Sequence, residues 1–74
     1  MKFKVGDIIT GTKDSDDRYT WTTSHGKYIV EVIYNDIEIR VRVVEHERRT
    51  CIGDSWKVDS SFFKLVRGKG AMLK

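Results

Sequence analysis

Residues 28–44 read YIVEVIYNDIEIRVRVV. Tyr28, Val30, Val32 and Tyr34 fall on one face of an extended chain, and Ile29, Glu31 and Ile33 fall on the other. β-branched and aromatic residues dominate, as a half-buried pleated surface requires. Asn35-Asp36 supplies two residues that tolerate left-handed backbone, and Ile37, Ile39, Val41 and Val43 then alternate with Glu38, Arg40 and Arg42. The stretch predicts a β-hairpin, and the rest of the chain is organised around it.

Upstream, FKVGDIITGT at residues 3–12 reads as a strand bent at Gly6-Asp7, with Phe3, Val5 and Ile9 pointing inward. Residues 12–26, TKDSDDRYTWTTSHG, read as a polar loop between two strands. Downstream, HERRTCIGD at 46–54 is a polar loop ending in Gly53, and SWKVD places Trp56 and Val58 on one side of a short strand. In SSFFKLV, Ser60-Ser61 can start a single helical turn before Phe63, Leu65 and Val66 return to the first strand. Five short strands without proline predict an all-β fold, a small five-stranded barrel, because closure removes the sheet edges of so short a chain.

Seventy-four residues form one domain, since a chain of this size buries roughly 60% of its unfolded surface and cannot support two cores. Hydrophobic content of 39% beside 34% charged residues suits a folded domain and not a disordered chain. No apolar run reaches the roughly 18 residues of a membrane span, and MKFKVGD carries no signal-like apolar segment, so the expected location is cytoplasmic and away from membranes. A single cysteine, Cys51, excludes an intrachain disulfide.

The sequence pI of about 9.2 invites a nucleic-acid reading. Of the fourteen Lys and Arg residues, however, Arg67, Lys69 and Lys74 lie after Val66, which leaves eleven basic residues against eleven acidic ones. The expected organisation is a balanced barrel at residues 1–66 and a frayed basic tail at 67–74. A stripe of Arg40 and Arg42 with Arg48 and Arg49 is the only basic feature of the body suited to nucleic acid, and Glu38, Glu45 and Glu47 interrupt it.

Catalytic and metal chemistry lack their sequence signatures. Asp14, Asp16 and Asp17 would open a calcium loop, but Arg18, Tyr19 and His25 stand where a ligand, a glycine and a bidentate glutamate are needed. His25, His46 and Cys51 have no zinc spacing. Ser24 and His25 are chain neighbours, which an extended backbone turns to opposite sides, and no phosphate-binding glycine loop is present. The chain therefore reads as a non-enzyme that needs no metal or cofactor. The loop has the chemistry of recognition instead: Asp14, Asp16 and Asp17 for steering, with Tyr19 and Trp21 as rigid contact area.

FKVGDIITG, RYTWTTSHGKYIVEV, RVRVVEH and CIGDSWKVDSSFFKLV, in that order across residues 3–66, resemble a group of small SH3-like barrel proteins encoded by phages of Gram-positive bacteria. In that group the second stretch usually reads Tyr-x-Ile-Thr-Asn; here Trp21 stands at the Ile and Thr23 at the Asn. The resemblance implies an SH3-like barrel, and among such proteins it is strongest to those that occupy the DNA channel of the host's replicative sliding clamp and inhibit host DNA replication. On that reading the 13–25 loop, together with Glu45 and Glu47, meets the basic residues of the channel. Clamp-binding peptides usually begin with Gln, which this chain lacks, so the folded surface is expected to make the contact. The alternative expectation is a nucleic-acid-binding barrel using Arg40, Arg42, Arg48, Arg49 and the tail. A third is self-pairing through a sheet edge, giving a homodimer.

Overall fold

The structure, a computed structural model, describes residues 2–19 and 23–68. Its strands are β1 (Ile8–Gly11), β2 (Gly26–Ile33), β3 (Glu38–His46), β4 (Ser55–Asp59) and β5 (Phe63–Arg67), with one helix, α1 (Lys13–Tyr19). Single 3-10 turns occupy Thr23–His25, Arg49–Cys51 and Ser60–Phe62. All strand pairs are antiparallel, in the order β4-β3-β2-β1-β5. This five-stranded antiparallel sheet with a helical turn before its last strand is the small all-β, barrel-like fold that the sequence predicts, but the expected closure does not remove its sheet edges. β4 and β5 are its two edges.

The β2–β3 hairpin forms as expected, pairing Val30 with Val41 and Ile33 with Ile39. Its turn is stabilised by Asn35, whose side-chain oxygen accepts the N–H groups of Ile37 and Glu38, each at 2.8 Å. The inward face is shorter than alternation alone predicts. Tyr28, Val30, Ile39, Val41 and Val43 are buried, but Val32 and Tyr34 are exposed, and Ile37 on the turn is 56% exposed. A register shift between Val30 and Val32 exchanges the faces of β2: Val32 comes to lie opposite Arg40 on the outer side, and Ile33, opposite the buried Ile39, packs on the core in its place.

The first element also needs correction. Extended pairing begins only at Ile8, and residues 4–7 make a tight turn in which Lys4 N–H donates to the Asp7 carboxylate at 2.8 Å. That turn leaves Val5 50% exposed while Phe3 and Ile9 reach the core. Gly6 N–H still donates to Val30 C=O, and Val30 N–H to Asp7 C=O, so the turn extends the sheet. At the other end β5 returns beside β1 through the predicted turn, burying Phe63, whereas Leu65 and Val66 remain exposed on the edge strand.

Phe3, Ile9, Tyr28, Val30, Ile39, Val41, Val43, Cys51, Val58 and Phe63 make one core, on which Tyr19, Ile33, Trp56 and Phe62 pack. Each fully buried large side chain contributes about 1.5–3 kcal/mol. Tyr28 stands edge-on to Phe63 with centroids 5.8 Å apart and donates its hydroxyl to Thr23 C=O at 3.0 Å. Burial pushes the pKa of that phenol up, so it stays a donor. Gly53 holds φ at 94°, the left-handed backbone that the turn before β4 requires.

Candidate functional site

The segment between β1 and β2 is the most altered relative to its sequence reading. Lys13–Tyr19 is helical, with Asp14 and Asp16 in the first turn and Arg18 in the last, charges that complement the helix dipole. Ser15, polar yet fully buried, is one of the residues that seat the helix. Its hydroxyl donates to Thr12 C=O at 2.5 Å and also meets the buried hydroxyl of Thr23. Gly11 makes room for both: a methyl there would collide with Ser15 Oγ and lie 2.5 Å from Thr23 Oγ1.

The three carboxylates of α1 consequently have different roles. Asp16 accepts from Ser24 Oγ at 2.5 Å, Ser24 N–H at 2.9 Å and Thr23 Oγ1 at 3.0 Å, fastening α1 to the 3-10 turn ahead of β2. The Ser24 hydroxyl foremost, then Ser24 N–H and Thr23, hold its pKa below the ordinary carboxylate value against a desolvation cost. Asp14 and Asp17 are exposed, and no hydrogen bond or ion pair among the described residues engages them. Tyr19 is half-buried against Phe62 and Phe63. It serves the core as well as the surface. Trp21 lies outside the described residues, as do residues 69–74 of the basic tail.

Glu45 and Glu47 are exposed at the end of β3, where Glu45 lies 3.4 Å from Lys27 and Glu47 2.9 Å from His25 Nδ1. The Glu47 hydrogen bond and charge raise the His25 pKa. Ser24 and His25 thus turn to different acids, and no Ser-His couple forms. His46 and Cys51 are likewise apart in role: His46 Nδ1 accepts Arg48 N–H at 2.9 Å, and Cys51 Sγ donates to Arg48 C=O at 3.0 Å. Among the described residues no cluster of His, Cys, Asp and Glu is placed to hold a metal ion. No helix among them is long and apolar enough to cross a membrane.

The arginine stripe divides in two. Arg40 Nε donates to Tyr34 Oη at 2.8 Å, and Arg42 binds the Glu31 carboxylate at 2.7 Å and Gly53 C=O at 2.6 Å. Ser55 Oγ donates to the same carboxylate at 2.6 Å, and Ser55 first, then Arg42, lower the pKa of Glu31. Arg40 and Arg42 therefore lace the outer face of the sheet together. Arg48 and Arg49 are exposed beside the turn that leads to β4.

One feature of the surface has no counterpart in the sequence reading. A cavity of about 480 Å³ opens between α1, the end of β3 and β4, lined by Tyr19, His46, Arg48, Cys51, Trp56, Lys57 and Val58. Only the alternation of Trp56 and Val58 hinted at one of its walls; the others come from distant parts of the chain. Comparison of the chain with protein-family models, with curated proteins and with solved structures gives no match.

Proposed function

We propose that this chain is a non-enzymatic, phage-type SH3-like module that binds a host replication protein, the replicative sliding clamp, within its DNA channel and so inhibits DNA replication. The resemblance across residues 3–66 supplies the partner. The observation that carries the contact is the pair Asp14 and Asp17, exposed on α1 and engaged by no cation among the described residues. A channel shaped to pass DNA presents Lys and Arg, and free carboxylates on a short rigid helix complement it at little entropic cost. Glu45 and Glu47 lie on the same strand end and add to the negative surface, each held by a partly exposed ion pair that a stronger basic surface can displace. Asp16 acts indirectly, by fixing α1. The nucleic-acid alternative is weakened at Arg42, whose charge is already paired with Glu31, while Arg40 is tied only to the Tyr34 hydroxyl.

The test is the affinity of the purified chain for a purified Gram-positive sliding clamp, measured by calorimetry at two salt concentrations. Asp14→Lys with Asp17→Lys should weaken binding by about tenfold or more and flatten its salt dependence. Unchanged affinity would take α1 out of the interface. Absence of binding by the wild-type chain would remove the clamp as partner.

A further inference from the structure

β4 is a sheet edge, and its phase can be read from its pairing with β3. Ser60 N–H donates to Ile37 C=O at 2.7 Å, and Val43 N–H to Asp54 C=O at 2.9 Å. Hydrogen-bonded and non-bonded positions alternate along an antiparallel pair, so the backbone groups of Trp56 and Val58 face β3, while those of Ser55, Lys57 and Asp59 face outward. The Asp59 N–H bears this out, since it is taken by Tyr19 Oη from the outer side. The outward groups of Ser55 and Lys57 have no partner among the described residues.

The cavity lies against this same edge. Tyr19, Cys51, Trp56 and Val58 give it apolar walls. Arg48 is the cation on its wall that no carboxylate engages among the described residues, for Lys57 is paired with Glu38 at 3.1 Å. Arg49, also exposed, stands next to it in the chain. Neither Asp14 nor Asp17 lines the cavity.

We propose that the open edge of β4 binds an extended peptide segment of a partner protein, with one large apolar side chain in the Tyr19–Trp56 cavity and, two residues along on the same face, a carboxylate on Arg48. Each part of that description has its own source. Free N–H and C=O groups at alternate positions of an edge strand are satisfied by a strand laid alongside, which makes the occupant extended. A concave space walled by aromatic and aliphatic groups takes an apolar side chain. The uncompensated guanidinium selects an acid two positions from that side chain, on the same face of the added strand, by a charge-assisted hydrogen bond. The chemistry is opposite in sign to that proposed for α1, and the peptide titration reads this edge without the clamp, so the two proposals fail separately.

The probe is a synthetic peptide, acetyl-Thr-Phe-Val-Glu-Val-Thr-amide, which puts Phe and Glu on one face of an extended chain; it is titrated into the full 15N-labelled chain and followed by amide and indole chemical shifts. Saturable shifts centred on Ser55, Lys57 and Trp56 are expected, with a dissociation constant on the order of 100 μM. Replacing the peptide Phe with Ala should abolish binding. Arg48→Glu should weaken the parent peptide roughly fivefold and strengthen the peptide carrying Lys in place of Glu, a reversal that a merely structural Arg48 would not give. No shifts at about 1 mM peptide would overturn the proposal, as would indifference to the Phe or to the charge reversal. A dimer in sedimentation whose Ser55 and Lys57 amides lose their protection from hydrogen exchange on dilution to the monomer would overturn it too.

Discussion

The phenol oxygen of Tyr19 accepts the backbone N–H of Asp59 at 2.6 Å, joining the last residue of α1 to the last residue of β4 across forty positions of sequence. The same ring stands edge-on to Phe62, centroids 6.1 Å apart, and packs on Phe63, so one side chain holds the helix against the barrel. Tyr19→Phe keeps the packing and strips a part-buried amide of its acceptor, which should cost about 1 kcal/mol. Tyr19→Ala also removes the ring and should cost about 3 kcal/mol. Urea unfolding of the two variants measures both, and equal losses would mean that the hydroxyl contributes nothing.

Gly11 gives a sharper steric prediction. A Cβ at this position would overlap Ser15 Oγ and lie 2.5 Å from Thr23 Oγ1 and 2.6 Å from Thr23 Cβ, inside a fully buried pair of hydroxyls. Neither neighbour can retreat without breaking the contacts that seat α1. Gly11→Ala should therefore destabilise the fold by about 2 kcal/mol despite alanine's lower unfolded-state entropy. Thermal unfolding checks the sign, and a raised midpoint would show that α1 shifts freely.

Where side-chain alternation coincides with burial, the sequence is readable: Ile39, Val41 and Val43 lie inward on β3, as do Tyr28 and Val30 on β2. It becomes misleading at Val32 and Tyr34, where a bulge after Val30 turns Ile33 inward in their place, and at Ile37, which lies on the turn before β3. Lys13–Tyr19 escapes a periodicity reading altogether, because, of its two inward residues, Ser15 and Tyr19, the first is polar and is buried against a hydroxyl partner at Thr23 that local sequence cannot reveal. Sequence singled out Asp14, Asp16 and Asp17 as a group, but only geometry separates the structural Asp16 from the two exposed acids. The β4-edge cavity was invisible for a related reason, its walls being contributed by residues as far apart as Tyr19 and Val58.

His25 and Glu47 join the turn before β2 to the end of β3, and the Glu47 hydrogen bond and charge raise the His25 pKa above its ordinary 6.5. The unfolded chain retains that ordinary value, so the link contributes its full stability below pH 6.5 and loses it as pH rises through the folded value. Both groups are largely exposed, which keeps the effect small and sensitive to salt. An NMR titration of the His25 ring should give a midpoint above 6.5 in the wild type and a return toward that value in Glu47→Gln. An unshifted wild-type midpoint would mean that the ion pair does not persist in solution.

Asp16 titrates with the opposite sign. Its pKa is depressed below 3.8 by Ser24 and Thr23, so its contribution is complete above the unfolded value and disappears as pH falls through the folded one. Stability of the wild type should consequently decline below about pH 4 in part through this residue. Asp16→Asn keeps an oxygen for one donor but brings its own N–H groups toward Ser24, and should lower stability at neutral pH by about 1 kcal/mol while flattening the acid limb. Since α1 would loosen with its tether, the same variant should also weaken clamp binding under the proposed function, though less than Asp14→Lys with Asp17→Lys. Calorimetric unfolding across the acid range, run beside the binding measurement, separates the two effects: a variant that binds poorly while unfolding like the wild type would place Asp16 in the interface itself.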